Sequence, residues 1–144
     1  MKRILIGGGQ GFWGDSPDAA IHMVRHGTLD YMACDYLAEL TLSIMQRQKQ
    51  RNPKTGYARD FVQLMEEIGQ EAWEKRIRIL TNAGGMNILG AVDALKELVQ
   101  KKGIQGYRIG YVTGDDLLDQ IPRMLSEGCT FEHMDGAADF NEIK

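Results

Sequence analysis

Cysteine is scarce in this sequence. The chain of 144 residues has two, Cys34 and Cys129, which lie far apart and outside any CxxC spacing. A disulfide framework or a cysteine-based zinc site needs several closely spaced cysteines, so the sequence argues against both classes of protein. It predicts two reduced, partly buried thiols, and no histidine stands directly beside either one to indicate a nucleophile.

Long apolar runs and an excess of one charge are missing too. The 17 basic and 20 acidic side chains give a formal charge of −3 and are interspersed along the chain. The sequence therefore has no concentrated positive charge that would hold a nucleic-acid backbone. The apolar start over residues 4–6 runs at once into glycines and is too short for a signal peptide or a membrane span. We therefore expect a cytoplasmic protein without nucleic-acid or membrane partners.

The sequence does contain a regular alternation of strand and helix patterns. Short apolar runs predict strands over 3–6, 29–34, 77–81 and 107–113. Helical spacing predicts helices over about 17–26, 36–51, 56–75, 88–102 and 117–125. Right-handed crossovers between such strands produce a parallel sheet. We therefore predict an α/β fold that is Rossmann-like: a doubly wound, mostly parallel sheet of about four strands with helices on both faces.

The domain organisation follows from the same pattern. With 43% hydrophobic residues and no low-complexity linker, residues 1–144 are predicted to form a single α/β domain. Four strands make a small sheet, and the segment from Cys129 to Lys144 looks interrupted. We therefore expect this chain to be the N-terminal part of a longer protein. We expect its partner to be a second copy of the chain, in a homo-oligomer, or a C-terminal domain.

The most informative segment is the glycine-rich loop over 7–17, between the first strand and the first helix. Free backbone N–H groups at such a turn attract anions, which makes Gly8, Gly9, Gln10 and Gly11 candidates for ligand binding. Phe12 and Trp13 would line an apolar part of the site or cover the sheet edge. Asp15 would point a carboxylate into the cleft or help to cap the first helix. Residues 9–14 also match G-x-G-x-x-G, with Asp30 and Asp35 as candidate ribose ligands. The bulky Phe12 and Trp13, and a helix cap at Ser16, argue against NAD or FAD. Phosphate or acyl-carrier binding and a purely structural turn both remain open.

Carboxylates follow the second and fourth predicted strands. Asp35 and Glu39 are four residues apart at a helix start, so we expect them to share one helix face. Such a pair suits general-base catalysis or a Mg²⁺ ion, although acidic residues in a first turn also stabilise the helix dipole. Asp115 occupies the equivalent position after the fourth strand and has the same two interpretations.

The third loop, over 81–87, combines two glycines with two asparagines. Glycines allow close backbone approach and Asn side chains supply both donors and acceptors, so we predict ligand contacts from Asn82, Gly84, Gly85 and Asn87.

Three segments, over 10–17, 30–41 and 81–87, together resemble the acyclic terpene utilisation protein A family, and the resemblance covers nearly the whole chain. Genes of this family accompany catabolism of citronellol and geraniol through branched acyl-CoA intermediates. The resemblance implies a longer protein, of which this chain is the N-terminal part. It also implies a shared cleft formed by the loops at 10–16, 35–39 and 82–87. The sequence departs from the family pattern at 88–90.

We therefore expect a catabolic protein that binds an acyl-CoA or branched carboxylic compound at the carboxyl ends of its strands, as an enzyme or enzyme subunit. Backbone amides of residues 8–11 and 84–86 would hold an anion or thioester oxygen. Asp35 and Glu39 would transfer a proton or hold Mg²⁺. Two alternatives remain: a non-catalytic binding or assembly module, and an NAD- or FAD-dependent oxidoreductase.

Overall fold

The computed structural model describes residues 3–132 and residue 136. The chain divides into two compact units, Met1–Tyr111 and Val112–Lys144. The single-domain organisation over 1–144 stays a prediction.

The first unit contains the α/β part of the fold. Its elements in chain order are β1 (Ile6–Gln10), α1 (Asp18–His26), β2 (Tyr31–Cys34), α2 (Glu39–Arg51), α3 (Arg59–Glu74), β3 (Arg78–Thr81) and α4 (Ile88–Lys102). The second unit contains a 3-10 turn at Leu118–Gln120 and the short helix α5 (Ile121–Ser126). No helix in the described ranges is long and apolar enough to cross a membrane.

The sheet is parallel and has the order β1-β2-β3. Ile6, Tyr31 and Arg78 lie opposite one another at its amino end, and Gln10, Cys34 and Thr81 at its carboxyl end. A bulge between Gly8 and Gln10 interrupts the ladder of β1. Since strands of a parallel sheet end on the same edge, the loops that follow β1, β2 and β3 all leave from one side of the unit.

The hydrophobic core covers one face of this sheet. Met32 and Cys34 point into it and pack with buried side chains from α1, α2 and α3: Val24, Met45, Leu64, Met65 and Ile68. On the opposite face Ile6 is 69% exposed and Leu80 is 54% exposed. A strand order that advances in one direction places right-handed crossovers on a single face. Within the described residues, helices on both faces and the doubly wound order are therefore not confirmed.

The prediction of a fourth strand over residues 107–113 is wrong. Residues 107–113 have the apolar, β-branched composition of a strand, but they form no ladder with any described strand. The start of this segment is held by a side chain instead, because the ring of Tyr107 packs against Trp73 at a centroid distance of 5.3 Å. Three strands form in the described residues, since strand composition requires a backbone partner before it becomes a strand.

Helix ends follow local signals. Asn87 caps α4 by accepting a hydrogen bond from the Gly90 amide, and Gly103 ends that helix in the left-handed conformation. Helix α3 ends differently, because Arg76 takes the left-handed position with φ 60°. The amide of Arg76 donates to the Trp73 carbonyl and that of Ile77 to the Ala72 carbonyl, the Schellman pattern in which glycine is usual.

Candidate functional site

The loop after β1 is organised around the buried side chain of Gln10. Its Nε2 donates to the carbonyl of Asp15 at 2.8 Å, and its Oε1 accepts from the hydroxyl of Tyr36. Tyr36 is fully buried, and burial raises the pKa of its phenol well above the ordinary value, so the hydroxyl stays a neutral donor. Gln10 therefore serves to join β1 to the segment after β2.

Asp15 occupies the Gly11 amide, one of the backbone amides over 8–11 that were predicted to bind a ligand. Its Oδ2 accepts from the Gly11 amide at 2.9 Å and its Oδ1 from the Ser16 amide at 2.8 Å. In this loop the chain supplies its own carboxylate to the Gly11 amide, and ligand binding by the amides of 8–11 stays a prediction.

Two of the glycines that were predicted to bind a ligand belong to β1, and one of them, Gly9, is required for packing. Gly8 and Gly9 lie inside the strand, not in the loop. A Cβ atom on Gly9 would lie 2.9 Å from the Cys34 sulfur, so the core leaves room for glycine only. Gly8 has no atom within 4 Å of such a Cβ, and it faces the uncovered side of the sheet.

Asp35 connects all three loops. Its amide donates to the Gln10 carbonyl at 3.0 Å, and its Oδ1 accepts from Asn82 Nδ2 at 2.6 Å. The Asn82 Oδ1 in turn accepts from the Tyr36 amide at 2.8 Å. The carboxyl ends of the three strands thus meet around one exposed carboxylate, and we call Gln10, Asp15, Asp35, Tyr36 and Asn82 the carboxyl-edge cluster.

The pKa of the Asp35 carboxyl is lowered from 3.8. The hydrogen bond from Asn82 is the main cause, followed by the bond from the Leu37 amide. Asp35 is therefore ionised at neutral pH. A low pKa makes it a weak general base and a good hydrogen-bond acceptor.

Glu39 does not share a helix face with Asp35. Helix α2 begins at Glu39, and Asp35 lies in the irregular segment before it, so the predicted (i, i+4) geometry is wrong. The described residues contain no group of three or more His, Cys, Asp or Glu side chains placed to hold a metal ion. The Mg²⁺ site stays a prediction that depends on two carboxylates.

The loop over 82–87 is also internally bonded. The Gly85 amide donates to the Asn82 carbonyl and the Met86 amide to the Gly56 carbonyl. Ligand binding by the amides of 84–86 stays a prediction. A Cβ on Gly84 would lie 2.9 Å from Ile88 Cγ1, and one on Gly85 would lie 2.3 Å from the sulfur of Met45, so both glycines are required for packing.

Asn87 holds the same loop to the rest of the unit. Its Nδ2 donates to the carbonyls of Pro53 and Thr55 at 2.9 and 2.8 Å, while its Oδ1 caps α4. All polar atoms of this side chain thus have structural partners.

The two aromatic residues of the first loop separate. Phe12 is 61% exposed, whereas Trp13 is half-buried and packs against the core. Phe12 therefore presents an apolar surface at the carboxyl edge, and Trp13 anchors the loop.

The remaining residues singled out in the sequence are Asp115 and the two cysteines. Asp115 belongs to the second unit, and neither strand nor helix forms around it. Cys34 is buried, and burial raises the pKa of its thiol to about 11, which makes it unreactive. Cys129 is exposed rather than partly buried, and within the described residues both cysteines are free.

The loop after β1 lacks the geometry of a dinucleotide site. Helix α1 begins at Asp18, four residues beyond Gly14, with Pro17 at its N-cap. A dinucleotide loop turns into its helix within the glycine motif, so that the pyrophosphate meets the helix terminus. Here an intervening segment and the Asp15 carboxylate separate the glycines from the helix.

Sequence reasoning missed Tyr36. It is fully buried at the centre of the cluster and packs edge-on against Phe61 at a centroid distance of 5.9 Å. A signal was present, because Tyr36 continues the alternation that buries Met32 and Cys34.

The fold and the cluster define an α/β domain that presents a polar loop cluster, with one exposed carboxylate, at the carboxyl edge of a parallel sheet. Over residues 4–144 the chain matches the model of the acyclic terpene utilisation family protein AtuA, and it belongs to that family. Comparison with curated proteins gave no match, and comparison with solved structures gave none.

Proposed function

We propose that this chain is a cytoplasmic catabolic protein of acyclic terpene utilisation that binds a branched acyl-CoA, or a related carboxylic compound, at the carboxyl-edge cluster. Membership of the acyclic terpene utilisation family supports a role in the use of such compounds. The observation that carries the site is the meeting of three loops around Asp35, whose amide bonds Gln10 and whose carboxylate bonds Asn82.

The charge of Asp35 selects among the carboxylic compounds. An ionised, exposed carboxylate repels a free acid and accepts hydrogen bonds from neutral donors. The pantetheine arm of an acyl-CoA carries amide N–H donors, and a thioester carries no charge at the acyl end. The thioester is therefore favoured over the free acid.

Phe12 supplies the apolar part of the proposed site. A 61% exposed aromatic side chain in the loop that follows Gln10 and contains Asp15 offers area for a branched alkyl chain. Hydrophobic burial of such a chain against an aromatic ring adds affinity that does not depend on charge.

The test is a calorimetric titration of citronellyl-CoA and of citronellate into the wild-type chain, Asp35→Asn and Phe12→Ala. The Asn side chain keeps the shape and the contact with Asn82, so the fold is retained. Loss of a charged hydrogen bond weakens thioester binding by about tenfold or more. Asp93→Asn on α4 and Ile44→Ala on α2 are matched controls, and both leave the affinity unchanged.

Equal affinity of the wild-type chain and Asp35→Asn for the thioester would contradict the role of Asp35. Absence of binding to both compounds would favour a second candidate, a non-catalytic assembly module. The internally satisfied amides of Gly11, Gly85 and Met86 are the specific observation that favours this candidate.

A further inference from the structure

We propose that a second site, on the opposite edge of the sheet, binds a small organic phosphate. An open cleft of about 670 Å³ lies at the amino ends of the strands, within the first unit. Its volume falls in the range of small-molecule sites. We call it the amino-edge cleft, and its basic residues are Arg76, Arg78 and Arg108.

Within residues 3–132, none of the three arginines has an acidic partner. None of their guanidinium groups forms an ion pair with a carboxylate in the described part of the chain. Arginine presents a planar fork of N–H donors that matches the oxygens of a phosphate. Three such groups around one cleft suit the several oxygens and higher charge of a phosphate better than a single carboxylate.

Two carboxylates also line the cleft, and each has a different partner. Asp30 Oδ2 accepts from the Leu5 amide at 2.8 Å, and Glu74 Oε1 accepts from Gln70 Nε2 at 3.0 Å. They reduce the net charge of the cleft to about +1 without neutralising any one arginine through a direct contact. The arginines therefore remain available to a ligand.

One of the arginines is held in place by an aromatic side chain. Arg78 Nη1 donates to the Tyr31 hydroxyl at 2.7 Å, and its guanidinium lies 5.6 Å from the centroid of that ring. Arg108 directly follows Tyr107, whose ring packs against Trp73. Such contacts reduce the ordering that binding would require. Tyr31 and Trp73 also line the cleft and offer apolar surface for the organic part of the ligand.

Arg76 adds an independent observation. It holds the left-handed conformation at the end of α3, a position where glycine avoids a steric cost. The backbone therefore gives no reason for arginine here, whereas the cleft does, because Arg76 is one of its lining residues. Arg76→Gly consequently removes the guanidinium while keeping the helix end intact.

The experiment is a titration of inorganic pyrophosphate and phenyl phosphate at fixed ionic strength, with the wild-type chain, Arg76→Gly and Arg108→Ala. We expect each variant to weaken binding of both probes by about fivefold to tenfold, as loss of a charged hydrogen bond does. Arg47→Ala on α2 removes the same charge from a residue outside the cleft and changes the affinity less than twofold.

Thermal unfolding shows that the variants fold, and Arg76→Gly is expected to melt no lower than wild type. Absence of binding to both probes would overturn the proposal. So would equal losses in Arg76→Gly, Arg108→Ala and Arg47→Ala, which would indicate attraction by overall charge. Binding to phosphatidic-acid vesicles but to neither free phosphate would instead indicate a lipid headgroup.

Discussion

At the scale of single residues, Asp35 is the side chain whose protonation is most directly tied to the proposed site. Its pKa is lowered from 3.8 chiefly by the Asn82 amide. A group with a depressed pKa in the folded state adds stability above its unfolded pKa and loses it as the pH falls through the folded value. The contribution of Asp35 is thus complete at neutral pH and declines below pH 3.8.

Asn82→Ala removes the main cause of that shift. We predict that the Asp35 pKa rises toward 3.8 in this variant, as followed by carbon NMR of the carboxyl group across an acid titration. Asn52→Ala, which removes a side chain bonded to the Lys54 amide, serves as the control and leaves the Asp35 titration unchanged. An unchanged midpoint in Asn82→Ala would show that the Asn82 bond does not hold the carboxylate.

At the scale of elements, the buried pair of Tyr36 and Gln10 joins the segment after β2 to β1. Tyr36→Phe leaves the Gln10 Oε1 inside the core without its donor. An unsatisfied buried acceptor costs about 1–3 kcal/mol, so we predict a loss of that size in the free energy of unfolding, measured by urea denaturation. Tyr111→Phe changes a residue that is 54% exposed and should cost almost nothing. Equal stability of the two variants would show that the hydrogen bond between Tyr36 and Gln10 does not stabilise the fold.

Asn87 fastens α4 to the loop after α2. Asn87→Ala removes the N-cap and both bonds to the Pro53 and Thr55 carbonyls. Loss of a cap alone costs about 1 kcal/mol, and the two additional bonds raise our prediction to about 2 kcal/mol of unfolding free energy. Chemical denaturation measures this loss of unfolding free energy. A loss smaller than that of Asn52→Ala would show that the Asn87 side chain does not hold α4 to the loop after α2.

The elements also show which features a sequence can predict. Helix α4 was predicted with its observed bounds, because Asn87 and Gly103 are local signals. Residues 107–113 failed as a strand because pairing depends on a distant partner. The prediction of parallel strands was sufficient to place the three loops on one edge of the sheet. It was not sufficient to predict which groups bond to the backbone amides of those loops. Whether Gly11 meets a ligand or Asp15 depends on how the loop folds back.

At the scale of the molecule, one face of the sheet exposes apolar side chains within the described residues. Parallel sheets are normally buried on both faces, yet Ile6 and Leu80 stand exposed on this one. Exposed apolar area of this kind binds hydrophobic dyes and promotes association.

Leu80→Lys tests this surface. We predict lower fluorescence of the dye ANS and less light scattering than for the wild-type chain, with a change in unfolding free energy within about 0.5 kcal/mol because the site is exposed. Leu64→Lys, at a buried position of α3, should unfold the protein and raise dye binding. Unchanged dye binding in Leu80→Lys would mean that this face is covered in solution.

We propose that the loops after β1, β2 and β3 form one ligand site. Backbone amide NMR shifts during a citronellyl-CoA titration test it most directly. We predict saturable shifts that cluster at residues 11–15, 35–37 and 82–84 together, and that weaken in parallel in Asp35→Asn. Shifts confined to the amino-edge cleft, or to one loop while the other two stay silent, would contradict the claim.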